Sequence, residues 1–165
     1  MRSVILAIHL LVIALPALAQ APAPPPVATD VTALDIDRFI DALPRDRVSD
    51  RPIRTVEVTG DYRVGVFGVL RPRTVRGDAI LHRVNTTEIY YMLDGAGILV
   101  TGGTIVDPND AGTRGSAIQG GVTRRVVPGD VVIIPGHTPH WWSELESDIE
   151  YLIFRPDPDN RLELR

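Results

Sequence analysis

The chain has 165 residues, of which 44% are hydrophobic, and its formal net charge is −4 with both signs interspersed. This length is enough for one domain with its own core, and the absence of a basic stripe argues against nucleic-acid binding. The sequence contains neither cysteine nor lysine, which excludes disulfides, thiolate metal ligands and lysine Schiff-base chemistry.

The N-terminus has the pattern of a secretory signal peptide. Arg2 is followed by an apolar run from Val4 to Leu15, then by Pro16 and the small-residue pattern Ala17-Leu18-Ala19. This run is shorter than the ~20 residues that a membrane-spanning helix needs. We therefore predict a signal peptide over residues 1–19, with cleavage after Ala19. The mature protein is expected to be periplasmic or secreted, without a membrane partner after cleavage.

The next two segments differ from the rest of the chain. Residues 20–29 are rich in Pro and Ala and predict a disordered leader. Residues 30–51 predict an N-terminal helical arm, with Asp30 as the N-cap and Pro44 ending the run. Its apolar residues recur at helical spacing: Ala33, Ile36, Phe39, Ile40 and Leu43.

From Pro52 to the end of the chain, β-branched residues and period-two alternation predict strands separated by turn residues. These strands are expected at Thr55 to Val58, Tyr62 to Leu70, Ala79 to Val84, Glu88 to Leu93, Gly97 to Thr101, Val122 to Val127, Asp130 to Pro135, and Ile149 to Arg155. Residues 52–165 therefore predict an all-β sandwich or barrel. Residues 107–121 show no periodicity, so they form either a lid over a pocket or a disordered insertion.

Residues 79–97 contain the first group of candidate ligands. In a strand from Ala79 to Val84, the side chains of Ile80, His82 and Val84 share one face. A short turn at residues 85–87 then returns the chain, so that Glu88 can face the same cavity. An imidazole and a carboxylate are thereby expected within reach of one ion.

Residues 129–142 contain the second group. A buried strand ends at Pro135 and Gly136 and is followed by His137, while His140 begins the next strand. Neutral imidazole together with carboxylate suits Fe, Mn, Ni, Zn or Co, and two histidines with one carboxylate form the facial triad of non-haem Fe(II) enzymes. We therefore predict a divalent metal ion as the cofactor, held by His82, Glu88 and His140.

These two segments resemble the paired signature of the cupin superfamily. The first cupin motif is G(X)5HXH(X)3,4E(X)6G, in which His82, Glu88 and Gly95 match. The second is G(X)5PXG(X)2H(X)3N, in which Gly129, Pro135 and His140 match. The resemblance implies a cupin jelly-roll β-barrel.

The sequence also departs from the cupin pattern. Val84 replaces the second histidine of HXH, Gly77 lies one residue too close to His82, and His137 and Glu144 replace the glycine and the asparagine of the second motif. One of the four usual metal ligands is thus absent. Water or substrate could fill its place, His137 or Asn85 could supply a fourth ligand, or the site is degenerate and binds a small molecule by hydrogen bonds alone.

Other candidate pocket residues surround these motifs. Tyr90 shares the parity of Glu88, so its hydroxyl could orient a substrate or act as an acid or base, although it could equally be a core aromatic. Trp142 shares the parity of His140 and could line the pocket. We interpret Arg71, Arg73 and Arg76 as a solvated strand end, although they could attract an anionic substrate.

The predicted function is that of an exported metal-dependent cupin enzyme, with Glu88 and Tyr90 as the catalytic candidates. It would be an oxygenase, isomerase or lyase acting on a small organic acid, phenol or sugar. The alternative is a non-catalytic periplasmic binding protein for small molecules with a degenerate metal site. A homodimer is also plausible, in which the arm covers the partner's sheet.

Overall fold

The computed structural model describes residues 27–58 and 61–165; the predicted signal peptide and most of the leader lie outside them. The described residues form one helix, α1 (Ala33–Asp41), and β-strands. In chain order the strands are β1 (Ser49–Val58), β2 (Tyr62–Arg71), β3 (Ala79–Ile80), β4 (Glu88–Asp94), β5 (Gly97–Thr101), β6 (Thr104–Val106), β7 (Arg114–Gly115), β8 (Ala117–Gln119), β9 (Val122–Val126), β10 (Val131–Ile134), β11 (His140–Leu145) and β12 (Ile149–Asp157).

Two five-stranded sheets enclose the core. Sheet A has the order β1-β2-β12-β4-β10, sheet B has the order β7-β3-β11-β5-β9, and β6 pairs separately with β8. The main hydrophobic cluster joins residues of both sheets, such as Tyr151 and Ile153 of sheet A with Leu99 and Trp142 of sheet B. The all-β prediction is confirmed. The predicted barrel is corrected to two separate sheets, since their strands are not joined into a closed barrel.

The N-cap of helix α1 lies two residues later than predicted. Thr32, not Asp30, is the N-cap, because its hydroxyl accepts a hydrogen bond from the Asp35 amide while the Asp35 carboxylate accepts one from the Thr32 amide. The helix packs on sheet A of its own chain, where the ring of Phe39 occupies the space above Gly68. The first strand already begins at Ser49, within the segment predicted as the arm.

The segment 107–121 is folded rather than a disordered insertion. Its strand β7 pairs with β3, and β8 pairs with β6. The strand predicted from Ala79 to Val84 is correspondingly short and ends at Ile80. The reason is that Leu81 donates its backbone N–H to Thr113 and His82 accepts one from His137, so these hydrogen bonds go to two loops instead of one neighbouring strand.

No helix within residues 27–58 and 61–165 is long and apolar enough to cross a membrane.

Candidate metal centre

Three predicted ligands meet between the two sheets. Glu88 begins β4 of sheet A, His140 begins β11 of sheet B, and His82 lies in the connection after β3. The Nε2 atoms of His82 and His140 each lie 3.4 Å from a different oxygen of the Glu88 carboxylate. One ligand atom from each of the three residues lies within 4.8 Å of the other two, so a single cation can contact all three.

The Glu88 carboxylate is buried and held by two donors from sheet A. Arg155 of β12 donates a hydrogen bond from Nε to Oε1 over 2.9 Å, and its Nη2 forms an ion pair with the same oxygen at 2.7 Å. The Tyr90 hydroxyl donates to Oε2 over 3.0 Å. Burial by itself would raise the pKa of Glu88, but the charges of Arg155, His140 and His82 and the Tyr90 hydrogen bond together lower it below its usual value. Glu88 is therefore an anion at neutral pH.

The hydrogen bond of the His140 ring determines which of its two nitrogens is unprotonated. Nδ1 lies 3.0 Å from the Thr138 carbonyl oxygen, which can only accept, so Nδ1 must carry the proton. Burial lowers the pKa of His140, against the opposing charge of Glu88, so the ring is neutral and Nε2 has a free lone pair. This lone pair faces Glu88 Oε2.

The donor set therefore fits a divalent metal ion. Two unprotonated acceptors, His140 Nε2 and Glu88 Oε2, approach to 3.4 Å with no proton of their own between them, and a cation would turn their repulsion into attraction. The hydrogen bond of His140 to a backbone carbonyl and the two donors on Glu88 are contacts of the kind that orient metal ligands. His82, Glu88 and His140 would hold the ion.

Tyr90 points inward, as its parity predicts, and is 1% exposed. Burial, followed by the negative charge of Glu88, raises its pKa well above the usual value, so the hydroxyl remains protonated and donates to Glu88. This arrangement makes Tyr90 a positioning residue for the carboxylate.

The other predicted pocket residues lie beside the site rather than in its cavity. The exposed His137 donates its backbone N–H to the His82 carbonyl and so connects the two ligand-bearing segments. The backbone of Val84 and Asn85 packs against Gly136, where a Cβ atom would lie 2.5 Å from the Val84 oxygen. Trp142 is buried in the core against the ring of Tyr151. Among the described residues, none of these four lines the cavity that contains His82 and His140.

Arg155 was not among the predicted site residues, although the sequence contains a signal for it. Ile149, Tyr151 and Ile153 alternate along β12 and are all at most 2% exposed. Period-two alternation places Arg155 on the same inward face. Its guanidinium contacts both Glu88 and Asp50 and lies 4.0 Å from the centre of the Phe67 ring.

A cavity of about 430 Å³ adjoins the three ligands. Besides His82, Glu88 and His140, its walls include Tyr90, Tyr151 and Arg114. Arg114 belongs to the segment 107–121, so this segment contributes to the wall as the lid interpretation requires. The volume is that of a site for a small organic molecule.

Solved structures share this fold. The chain is similar to TT1209 from Thermus thermophilus (12% identity, covering 78% of this chain and 98% of that one, TM-score 0.52). It is also similar to BH2720 from Bacillus halodurans (15% identity, 81% and 84% covered, TM-score 0.51) and to the DMSP lyase DddQ from Ruegeria pomeroyi (19% identity, 82% and 68% covered, TM-score 0.50).

These similarities show that the chain has the fold of cupin-type proteins, as the two sequence motifs predict. At such low identity the likeness concerns the fold and not the reaction. No protein-family model and no curated protein matches the sequence.

Proposed function

We propose that this protein is a metal-dependent enzyme of the cupin fold, with His82, Glu88 and His140 as its protein ligands. The observation that supports this proposal is the close approach of two lone-pair acceptors, His140 Nε2 and Glu88 Oε2. The metal would be Fe, Mn, Zn or Ni, and the substrate a small organic acid, phenol or sugar derivative. An oxygenase, an isomerase and a lyase all remain compatible with these ligands.

A bound divalent ion would supply Lewis acidity, and the three ligands found among the described residues would leave room for substrate to bind it. Other residues of this chain orient the candidate ligands. Arg155 and Tyr90 hold the Glu88 carboxylate in one orientation, and the Thr138 carbonyl holds the His140 ring. The buried position of Glu88 and His140 limits water to the side of the cavity.

Elemental analysis of protein purified without an affinity tag tests this proposal. We expect a stoichiometric amount of one transition metal and a lower melting temperature after treatment with EDTA. The absence of stoichiometric metal, together with an unchanged melting temperature in the chelator, would contradict it.

One observation favours a second function, that of a non-catalytic small-molecule-binding protein. Arg155 already neutralises Glu88 through one hydrogen bond and an ion pair, so the buried carboxylate has a counter-charge without a metal. Under this alternative, Zn²⁺ and Mn²⁺ would bind weakly in equilibrium dialysis, while ligands would still enter the cavity. Tight metal binding would exclude it.

Export and dimer formation are proposals that rest on the sequence. N-terminal sequencing of the mature protein should begin at Gln20, and an unprocessed cytoplasmic chain would contradict export.

A homodimer would be detected by light scattering, and a monomeric mass would exclude it. Since α1 packs on its own sheet, such a dimer would not need an exchanged arm.

A further inference from the structure

Arg71 is a buried arginine without an acidic partner. It is the last residue of β2 and is 8% exposed. Its Nε donates to the hydroxyl of Tyr151 over 2.8 Å, and Tyr151 is itself fully buried. Among residues 27–58 and 61–165, no carboxylate oxygen lies within 4.0 Å of this guanidinium, and its two terminal nitrogens have no hydrogen-bond acceptor. Arg71 is thus not part of a solvated strand end.

Arg155 is a buried arginine whose acidic partners belong to the chain itself. Its guanidinium contacts the carboxylates of Glu88 and Asp50, and its side chain is 11% exposed. A buried guanidinium that lacks such partners pays a desolvation cost, which an anion from outside the chain would offset. Arg71 is buried to a similar extent as Arg155, but no carboxylate of the described residues pairs with it.

The surroundings of Arg71 favour a negatively charged occupant. Arg71 lines the same cavity as the three metal ligands. The acidic groups of this wall are already paired: Glu88 and Asp50 with Arg155, and Asp78 with Arg114 at 3.4 Å. The arginines that line the cavity outnumber these acids, and they are Arg47, Arg51, Arg71, Arg76 and Arg114. The resulting potential attracts anions.

Gly77 leaves the space that the Arg71 guanidinium fills. A Cβ atom on Gly77 would lie 2.8 Å from Nη1 of Arg71. The Gly77 carbonyl in turn accepts a hydrogen bond from the indole of Trp141 over 3.1 Å, which holds this backbone in place. With Nε bound to Tyr151 and Nη1 beside Gly77, the planar guanidinium has a defined orientation. A planar fork of this kind is suited to two parallel hydrogen bonds with a carboxylate.

We propose that Arg71 binds the carboxylate of a small organic acid in this cavity, while a second polar group of the same molecule reaches His82, Glu88 and His140. This inference deepens the proposed function, on which its second half rests, because it names the substrate class of that site. The anion contact itself requires only Arg71. The cavity volume of about 430 Å³ restricts the ligand to a small acid.

Isothermal titration calorimetry on the EDTA-treated full chain tests the anion contact without metal. Malonate is the carboxylate probe, malonamide is its uncharged analogue, and inorganic phosphate is the competing anion. We expect the wild-type protein to bind malonate at least about tenfold more tightly than either of the others. Phosphate binding equal to or tighter than that of malonate would overturn the assignment to a carboxylic acid.

Variants of Arg71 locate the contact. We expect Arg71→Gln to weaken malonate binding by roughly 10- to 100-fold and Arg71→Lys to weaken it by a smaller factor, because lysine keeps the charge but loses the fork. The matched control is Arg73→Gln, since Arg73 is exposed and does not line the cavity. This variant should bind malonate within about threefold of the wild type.

Two further results would overturn the proposal: malonate affinity that survives in Arg71→Gln, or equal binding of malonate and malonamide by the wild-type protein. The second comparison uses no variant, so it decides the question even if Arg71→Gln does not fold. Metal analysis is a separate measurement. Intact, Arg71-dependent malonate binding in a protein that takes up no metal would refute the proposed enzyme while leaving the anion site in place.

Discussion

Sheets A and B contribute different chemistry to the same site. Sheet A supplies the charged groups: Glu88 from β4 and Arg155 from β12, with Tyr90 beside them. Sheet B supplies His140, and the connection after β3 supplies His82. The sheet A groups form hydrogen bonds and ion pairs with one another without metal, whereas the neutral His140 presents an unprotonated Nε2 to Glu88. Changes in sheet A should therefore reduce stability, and changes in the histidines should reduce metal affinity.

The largest effect is expected from Arg155→Gln. This substitution leaves the buried Glu88 carboxylate without its counter-charge, so the free energy of unfolding should fall by about 3–5 kcal/mol. Urea denaturation at pH 7 in EDTA measures it. The matched control is Arg125→Gln, which breaks the exposed pair with Glu146 and should change little. Equal losses in both variants would show that the Arg155 network does not stabilise the fold.

The next largest effect is expected from His140→Ala and not from His137→Ala. His140→Ala should weaken Zn²⁺ binding in equilibrium dialysis by at least about 100-fold, because it removes a ligand and not merely a supporting contact. His137→Ala is the control, since its side chain is exposed and lies outside the cavity. If both variants lose metal to the same extent, His137 contributes a ligand and the three-residue site is wrong.

Tyr90→Phe tests how firmly sheet A positions Glu88. Loss of the hydroxyl should cost about 1 kcal/mol of unfolding free energy and weaken metal binding by roughly tenfold, since one oxygen of Glu88 loses its donor. Tyr91→Phe, on the neighbouring residue that is 40% exposed, is the control. If Tyr90→Phe binds metal as tightly as the wild type does, Arg155 alone orients the Glu88 carboxylate.

The smallest change in stability is expected from His82→Ala. The His82 side chain is 42% exposed, so the unfolding free energy of the metal-free protein should change by no more than about 0.5 kcal/mol. Metal affinity should nevertheless fall, as in His140→Ala. A loss of stability as large as that in Arg155→Gln would show that the contact of His82 with Glu88 stabilises the fold without metal.

Much of sheet A could be predicted from local pattern. The alternation of β-branched and polar residues anticipated β2, β4 and β12 to within two residues at either end. The strands β6, β7 and β8 escaped prediction because they are two or three residues long and lie among Gly, Asp and Asn, where no period can be read. Their pairing is decided by contact with β3 and with one another.

The candidate ligands could also be predicted, but their supporting contacts could not. His82, Glu88 and His140 were recognisable from their spacing and from the cupin resemblance. Arg71 was interpreted as a solvated residue because three arginines close together usually lie in water. Its burial depends on Tyr151, which lies 80 residues further along the chain and accepts its hydrogen bond.

The sequence by itself determined the all-β class and the three side chains of the candidate metal centre, because strand periodicity and motif spacing are local properties. The tertiary structure alone decided that Arg155 meets Glu88 and that Arg71 meets no acid among residues 27–58 and 61–165. Arg155 and Glu88 lie 67 residues apart and become neighbours only because β12 inserts between β2 and β4. Burial and charge pairing depend on that strand order, which no short segment of the chain encodes.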